Sequence, residues 1–527
     1  MVTAVIRKYS HHFCVVTSNR MIQDPIFDYY RNRLSTFKFG HGRKKTKREI
    51  DKTFASANKE RTHFRLLNAC YDDFIRYMAG RGIAEDSWEI EEVRMYVPTP
   101  VDFNCIFPHP LREKQVEIKD FISTRPPKPI LPNMHYYPQR VIPLQMGGGK
   151  TLIALYMAAH FGFRTMIEVS KRYRENWVSN VCGKDAKLDV DVSDVLVIQS
   201  HTDLVRAIRK AKAKYEKFDY KIIIAHKSTI SNFVNAYVRG EPEFKQYGIK
   251  VEDLYKVLGV GLLIRDEVHE ELHANAKQDL HRHVPLVINL SATLEFDDPK
   301  VDEMCKLVFP LDSRFNAGEW NKYIEVLAVR YGLQLPTKLK WYQYKNGPYN
   351  QAEFEKSILK DKFKFDLYAN FICNLIMEYF ELIHEPGDKL AVYAHTIAMC
   401  THLQAYIEDR FSQYSVNRYV GEDDYEDLIS ADIVVTTPGS AGTGQDIKGL
   451  RRVIMTNAIK SSQKNFQVAG RLRELFELDS KGVVRDVMFL YLVCNDIQQQ
   501  VDYHFFKRSK FRGKMKSQNE IETGFYL

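Results

Sequence analysis

Residues Val141-Ile142-Pro143-Leu144-Gln145-Met146-Gly147-Gly148-Gly149-Lys150-Thr151 decide how the rest of this chain is read. The first four make a short buried strand, and Leu152 to His160 continues as a helix. Glycines between a strand and a helix let the backbone fold tightly and present N–H groups at the positive helix end. Gly147, Gly148 and Gly149 form that cradle, Lys150 would reach the terminal phosphates of ATP, and Thr151 would offer its hydroxyl to Mg²⁺. Leu144 stands where the strict phosphate-loop pattern has its first glycine, so the loop alone does not separate a nucleotide site from an ordinary glycine-rich turn.

A second segment does. Gly261-Leu262-Leu263-Ile264 is an apolar strand that ends in Arg265-Asp266-Glu267. Adjacent carboxylates at a strand's end are costly unless they hold a cation or do chemistry. Asp266 fits a Mg²⁺ ligand, and Glu267 fits the base that orients and activates the attacking water. Upstream, Leu111-Arg112-Glu113-Lys114-Gln115 opens a helix. Gln115 carries the paired donor and acceptor that an adenine edge needs, and Arg112 joins it at the nucleotide. Phe107 either stacks on the base or belongs to the core.

From Val141 onward short apolar strands alternate with longer amphipathic segments: 165–169, 195–199, 222–225, 261–264 and 287–290. The pattern restarts near 326–329 and continues at 390–393, 433–436, 452–455 and 487–492, with a looser stretch at 296–385. Such alternation predicts two parallel, doubly wound sheets. Residues up to about 105 read as a small α+β module, with strands at 4–6 and 13–16 and a helix over 64–75. The basic run 38–48 reads as a loop leading into a helix, and the proline-rich 125–132 as a surface connection. The expected domains are therefore 1–105, 106–300 and 301–527.

Three further segments complete the pattern: Ser291-Ala292-Thr293, Gly442-Thr443-Gly444-Gln445-Asp446 and Gln467-Val468-Ala469-Gly470-Arg471-Leu472-Arg473. In this order with GGGKT and DEVH, the series resembles superfamily 2 helicases and translocases of the DExH type, across roughly residues 107–495. The resemblance implies two tandem RecA-like domains that bind ATP between them and nucleic acid across both. It implies that His269, Ser291 and Thr293 couple ATP state to grip, and that Gly444, Asp446 and Gln467 approach the nucleotide. Arg471 and Arg473 would bring a guanidinium to the γ-phosphate. The usual QxxGRxxR is shortened here, with Glu474 at the last arginine position, so either arginine is open as the finger.

The same resemblance places nucleic acid at Thr443 and at the strand-end segments that contain Ser170 and Lys171, Lys227 and Ser228, and His395. Each of these strand-end segments reads equally as a plain loop. The basic stretch with Arg43, Lys44 and Lys45 could grip duplex DNA or remain a solvated loop. Within the superfamily the layout is similar to UvsW-like phage recombination helicases, which migrate branches, unwind D-loops and R-loops and regress forks. The mixed basic and aromatic run 505–514 suits stacking on bases.

Bulk composition fits this reading without requiring it. The net charge of +9 is mild for 527 residues, so it permits a polyanionic partner. Eight scattered cysteines without a CxxC pair exclude a disulfide framework or zinc cluster and predict a reducing, cytoplasmic setting, with no membrane segment. His273, His281 and His283 near the acid pair read as surface histidines. DNA, particularly branched DNA, is the expected partner; an RNA helicase and a duplex translocase without strand separation are alternatives. A nucleic-acid-binding protein with an inactive ATPase fold is the non-enzyme alternative.

Overall fold

The apolar runs become strands because they are buried on both faces; Ile222, Ile223, Ile224 and Ala225 are wholly inaccessible. The computed structural model describes residues 4–39, 48–107, 110–124, 139–145, 147–213, 217–342, 347–421, 423–440, 447–474 and 485–527. Two compact units form, Met1–Ala317 and Gly318–Leu527. Each holds a parallel α/β sheet, and the first also carries a small α+β module at its N-terminus.

In the first unit six parallel strands lie in the order Val195–Ile198, Ile222–His226, Thr165–Val169, Leu262–Arg265, Leu286–Ser291 and Gln139–Pro143. Neighbours in space are therefore distant in sequence: Leu286–Ser291 separates the strand before the glycine loop from the strand before the acid pair. In the second unit seven parallel strands run Val416–Tyr419, Ile433–Thr436, Lys389–Tyr393, Leu450–Met455, Val487–Cys494, Ile324–Gly332 and Ser517–Tyr526. The last of these was not expected from sequence. It follows helix Gln498–Phe511, and its alternating half-buried residues make an edge strand with little apolar signal.

The N-terminal module is a five-stranded mixed sheet, Ala55–Ala57, His63–Leu67, His12–Val16, Ala4–Lys8 and Trp88–Glu92, with helices Arg20–Arg33 and Tyr71–Ala79. It is not a free-standing body: Phe13, Val15 and Phe74 share one core with Leu272, Leu280 and Met304 of the α/β part. Here the expected helix over 64–75 is corrected. Its first half is strand His63–Leu67, because Phe64 and Leu66 alternate into the core and pair with His12–Val16; the helix begins at Tyr71. The basic run leads into strand Arg48–Thr53, paired with Ser35–Phe39, rather than into a helix.

The stretch 296–385 is also more regular than its sequence suggests. It contains helices Pro299–Val308, Gln351–Leu359 and Lys362–Tyr379. Lys362–Tyr379 buries Tyr368, Ala369, Phe371, Ile372, Cys373, Leu375 and Ile376, a spread wide enough to blur the amphipathic period. No helix among the described residues is long and apolar enough to cross a membrane.

Candidate active site

The strand order of the first sheet brings three sequence segments to one edge. Ser291 is in register with Pro143, and Arg265 with Asn289. Beyond the strand ends, Leu144 N donates to Ser291 O at 3.0 Å, and Val268 N donates to Leu290 O at 3.0 Å. The glycine loop and the acid pair are thus both hydrogen-bonded to the strand that carries Ser291.

Backbone conformation builds the loop. Gly147 and Gly149 have φ of +79° and +80°, where a side chain is strained, and Gly149 is the N-cap of helix Lys150–Phe161. A Cβ on Gly149 would also run into the amide of Gln115. Gln115 is buried, and its Oε1 accepts from Arg112 N at 2.9 Å, closing the start of helix Glu113–Ser123. The sequence-predicted nucleotide residue therefore lies over the loop itself, while Arg112 is exposed at the cap. Lys150 Nζ donates to Leu144 O at 2.9 Å, and Thr151 occupies the second helical position, half-buried.

The acid pair is held from several sides. Asp266 Oδ2 accepts from Trp177 Nε1 at 2.8 Å, and its Oδ1 accepts from Glu267 N at 2.9 Å. Burial pushes the Asp266 carboxyl up to about 6, with the Glu267 charge adding to the shift and the Trp177 hydrogen bond opposing it. Glu267 adopts φ +42°, a rare conformation for a residue with a side chain. Its Oε2 is buried without a hydrogen bond, 3.2 Å from His269 Nδ1. A desolvated carboxyl beside a second carboxylate suits a hard cation, and oxygen donors of the Asp266 and Thr151 type are those that Mg²⁺ takes. The residues fit the ion.

His269 connects the acid pair to the central strand. Its Nδ1 lies 2.9 Å from Ser291 Oγ, and Ser291 Oγ donates to Thr293 O at 2.6 Å. The serine hydrogen is spent on Thr293, so the imidazole must donate through Nδ1. Burial first of all pulls His269 down to about 4, which keeps the ring neutral at pH 7. Thr293 is buried, and its Oγ1 accepts from Glu295 N at 3.2 Å.

The other predicted residues are less concentrated. Lys227 is buried, its ammonium donating to Asp266 O and, at 3.3 Å, to Glu267 O. It braces the acid-pair backbone from the N-terminus of helix Lys227–Arg239, while Ser228 is exposed beside it. Ser170 caps the short turn Lys171–Tyr173, in which Lys171 is exposed. The next residues tie this turn to the acid-pair segment: Arg172 and Tyr173 donate to Glu270 Oε1 at 2.6 and 2.9 Å.

In the second unit Gln467 lies on helix Ser462–Ala469. Arg471 is buried near the Tyr393 phenol, and Arg473 donates to Gly470 O. His395 is exposed, with its backbone N–H on Glu355. Thr443, Gly444 and Asp446, and Arg43, Lys44 and Lys45, lie outside the described residues.

Two groups escaped sequence reading. Trp177 follows the Ser170–Lys171 segment, where the resemblance points to nucleic acid rather than to the acid pair, and Glu355 carries no motif at all. His273, His281 and His283 are corrected: none is a surface residue. His281 and His283 are buried and His273 half-buried, where the N-terminal module meets the α/β sheet; His283 Nδ1 accepts from Ser10 N at 3.2 Å. In the 505–514 run Phe505 is exposed, but Phe511 is buried and Lys507 lies under the sheet with its ammonium 3.8 Å from the Tyr491 ring centre. Packing claims those two residues.

No protein-family model matches this chain, and no curated protein matches it. Solved structures do resemble it. S. cerevisiae Dbp5 bound to RNA and ADP BeF3 superposes with a TM-score of 0.47 at 12% identity, covering 77% of this chain and 89% of that one. The Mycobacterium smegmatis helicase Lhr bound to ssDNA and AMP-PNP gives 0.40 at 14% identity, over 72% of this chain and 46% of Lhr. At these values the likeness decides nothing about chemistry.

Proposed function

We propose that this chain is an ATP- and Mg²⁺-dependent superfamily 2 helicase or translocase of the DExH type. Its proposed substrate is branched DNA, which it would remodel by branch migration, D-loop and R-loop unwinding and fork regression, in the manner of UvsW-like phage recombination helicases. The observation that carries the reading is the joining of the glycine loop, Asp266–Glu267 and Ser291–Thr293 at one sheet edge through the Leu144–Ser291 and Val268–Leu290 hydrogen bonds.

Lys150 and the backbone N–H groups after Gly149 bind the phosphates of ATP. Thr151 and Asp266 hold Mg²⁺, which neutralises phosphate charge when bound. Glu267 accepts a proton from the attacking water. His269 and Ser291 pass the state of Glu267 to the central strand through Nδ1. Arg471 and Arg473 supply the arginine of the hydrolysis step. We assign residues 1–105 to DNA binding, the rest of the first compact unit as far as Ala317 to ATP binding, and Gly318–Leu527 to the second motor domain, in a protein of the host cytoplasm.

ATP turnover measured with and without forks, four-way junctions, D-loops and RNA–DNA hybrids tests the reading, together with unwinding of the same substrates. Turnover should rise with branched DNA. Turnover indifferent to every nucleic acid would overturn the motor assignment, and stimulation by RNA alone would move it to an RNA helicase.

A further inference from the structure

A cavity of about 400 Å³ opens between the N-terminal module and the first α/β sheet, away from the glycine loop. One wall is the turn from Asn58 to His63, between strands Ala55–Ala57 and His63–Leu67; the other is the C-terminal end of helix Lys227–Arg239. Its size is that of a small-molecule site. Three of its lining side chains, Lys59, Arg65 and Arg239, are cations, against the single carboxylate of Glu60.

These cations are not equivalent. Arg65 is consumed by the structure: it pairs with Glu252 and donates to Tyr237 OH at 3.2 Å and to Leu280 O at 3.4 Å. Lys59 makes no ion pair among the described residues, and Arg239 is mostly exposed with a 3.2 Å contact to Glu241. The cavity therefore offers two accessible positive charges near its mouth.

Its inner side has a different character. His281 is only 3% exposed, and its Nδ1 is buried without a hydrogen-bond partner among the described residues. The His281 ring meets the Tyr237 ring edge-on, with centroids 5.4 Å apart. A simple anion would serve the lysine and arginine but not the Tyr237 and His281 rings that also line the cavity. A ligand that carries a phosphate together with a planar ring bearing donors and acceptors serves both.

We propose that this cavity binds a phosphorylated nucleoside, its phosphate at Lys59 and Arg239 and its base against Tyr237 and His281. The ligand is either a free nucleotide or one nucleotide of a strand; the strand version rests on the motor reading above, and the free version does not.

Photocrosslinking of the full chain with 5-iodouridine monophosphate and with a single-stranded oligonucleotide containing one 5-iodouridine tests this, with the adducts mapped by mass spectrometry. Adducts at Tyr237 or His281 are expected from at least one probe. The double variant Lys59→Ala, Arg239→Ala changes two exposed side chains; it should weaken binding of that probe about tenfold and leave ATP turnover without nucleic acid unchanged. Adducts from the mononucleotide alone assign a free nucleotide, and adducts from the oligonucleotide assign a strand. No adduct at either residue, or an unchanged affinity in the double variant, overturns the site. Strand-independent ATP turnover alongside mononucleotide adducts would refute the motor while leaving the cavity assignment standing.

Discussion

The carboxylate of Glu355 accepts both the backbone N–H and the hydroxyl of Thr396, at 2.8 and 2.7 Å. It also accepts from His395 N at 2.8 Å and from Gln351 Nε2 at 3.2 Å. Gln351 Oε1 in turn accepts from Ala458 N at 3.1 Å. Helix Gln351–Leu359 thereby holds the segments after two adjacent strands, Lys389–Tyr393 and Leu450–Met455. Replacing Glu355 by Ala leaves the part-buried His395 and Thr396 donors and the buried Gln351 amide without their acceptor, so the protein should lose about 3 kcal/mol. Urea unfolding would show this as a lower midpoint at constant slope; an unchanged midpoint would remove Glu355 from the role.

Gly149→Ala places a Cβ at φ +80° and against the Gln115 amide. We expect about 1–2 kcal/mol of strain and a KM for ATP raised roughly tenfold. Steady-state kinetics with ATP titrated at saturating DNA reads the second effect.

Lys150→Ala and Glu267→Gln separate phosphate binding from water activation. Both should lower kcat by a factor of about 10²–10⁴. Only Lys150→Ala should also weaken ATP binding, measured with a fluorescent nucleotide. Turnover surviving either change at the wild-type rate contradicts the assignment.

Ser291→Ala removes the acceptor of the His269 Nδ1–H. Basal ATP turnover should fall less than threefold, while the extra turnover evoked by DNA falls about tenfold. Equal loss of both would make Ser291 a plain structural residue rather than a coupling one.

Acid should loosen the joint between the N-terminal module and the first sheet. Burial, first of all, holds His11, His12 and His281 well below the usual histidine value, and lowers His283 as well. A depressed folded-state pKa means that the unfolded chain binds protons that the folded one does not. Stability is therefore full above about pH 6.5 and falls as the pH drops below it. Thermal unfolding between pH 7.5 and 5 should show Tm falling, with His281→Phe less sensitive than the wild type.

Legibility in the sequence followed the physics of each feature. Strands such as Ile222–His226 were visible because burial on both faces demands uninterrupted apolar residues. Helix Lys362–Tyr379 was not, since its burial extends round much of its circumference and blurs the period. His281 and His283 looked solvated because histidine is equally at home at the surface, and only the packing of the module over them shows otherwise. Lys227 read as a phosphate ligand but spends its charge on the Asp266 and Glu267 carbonyls.

By itself the sequence determined which residue types stand at each strand end: glycines before Lys150, paired acids after Ile264, a serine after Leu290. Their local conformations follow from short-range rules of strand, turn and helix start. Only the tertiary structure decided that Leu286–Ser291 lies between the other two strands, and so that Ser291 is hydrogen-bonded on one side to Leu144 and on the other to His269. Strand order depends on which faces can be buried together across more than a hundred residues of chain, and no local pattern records that.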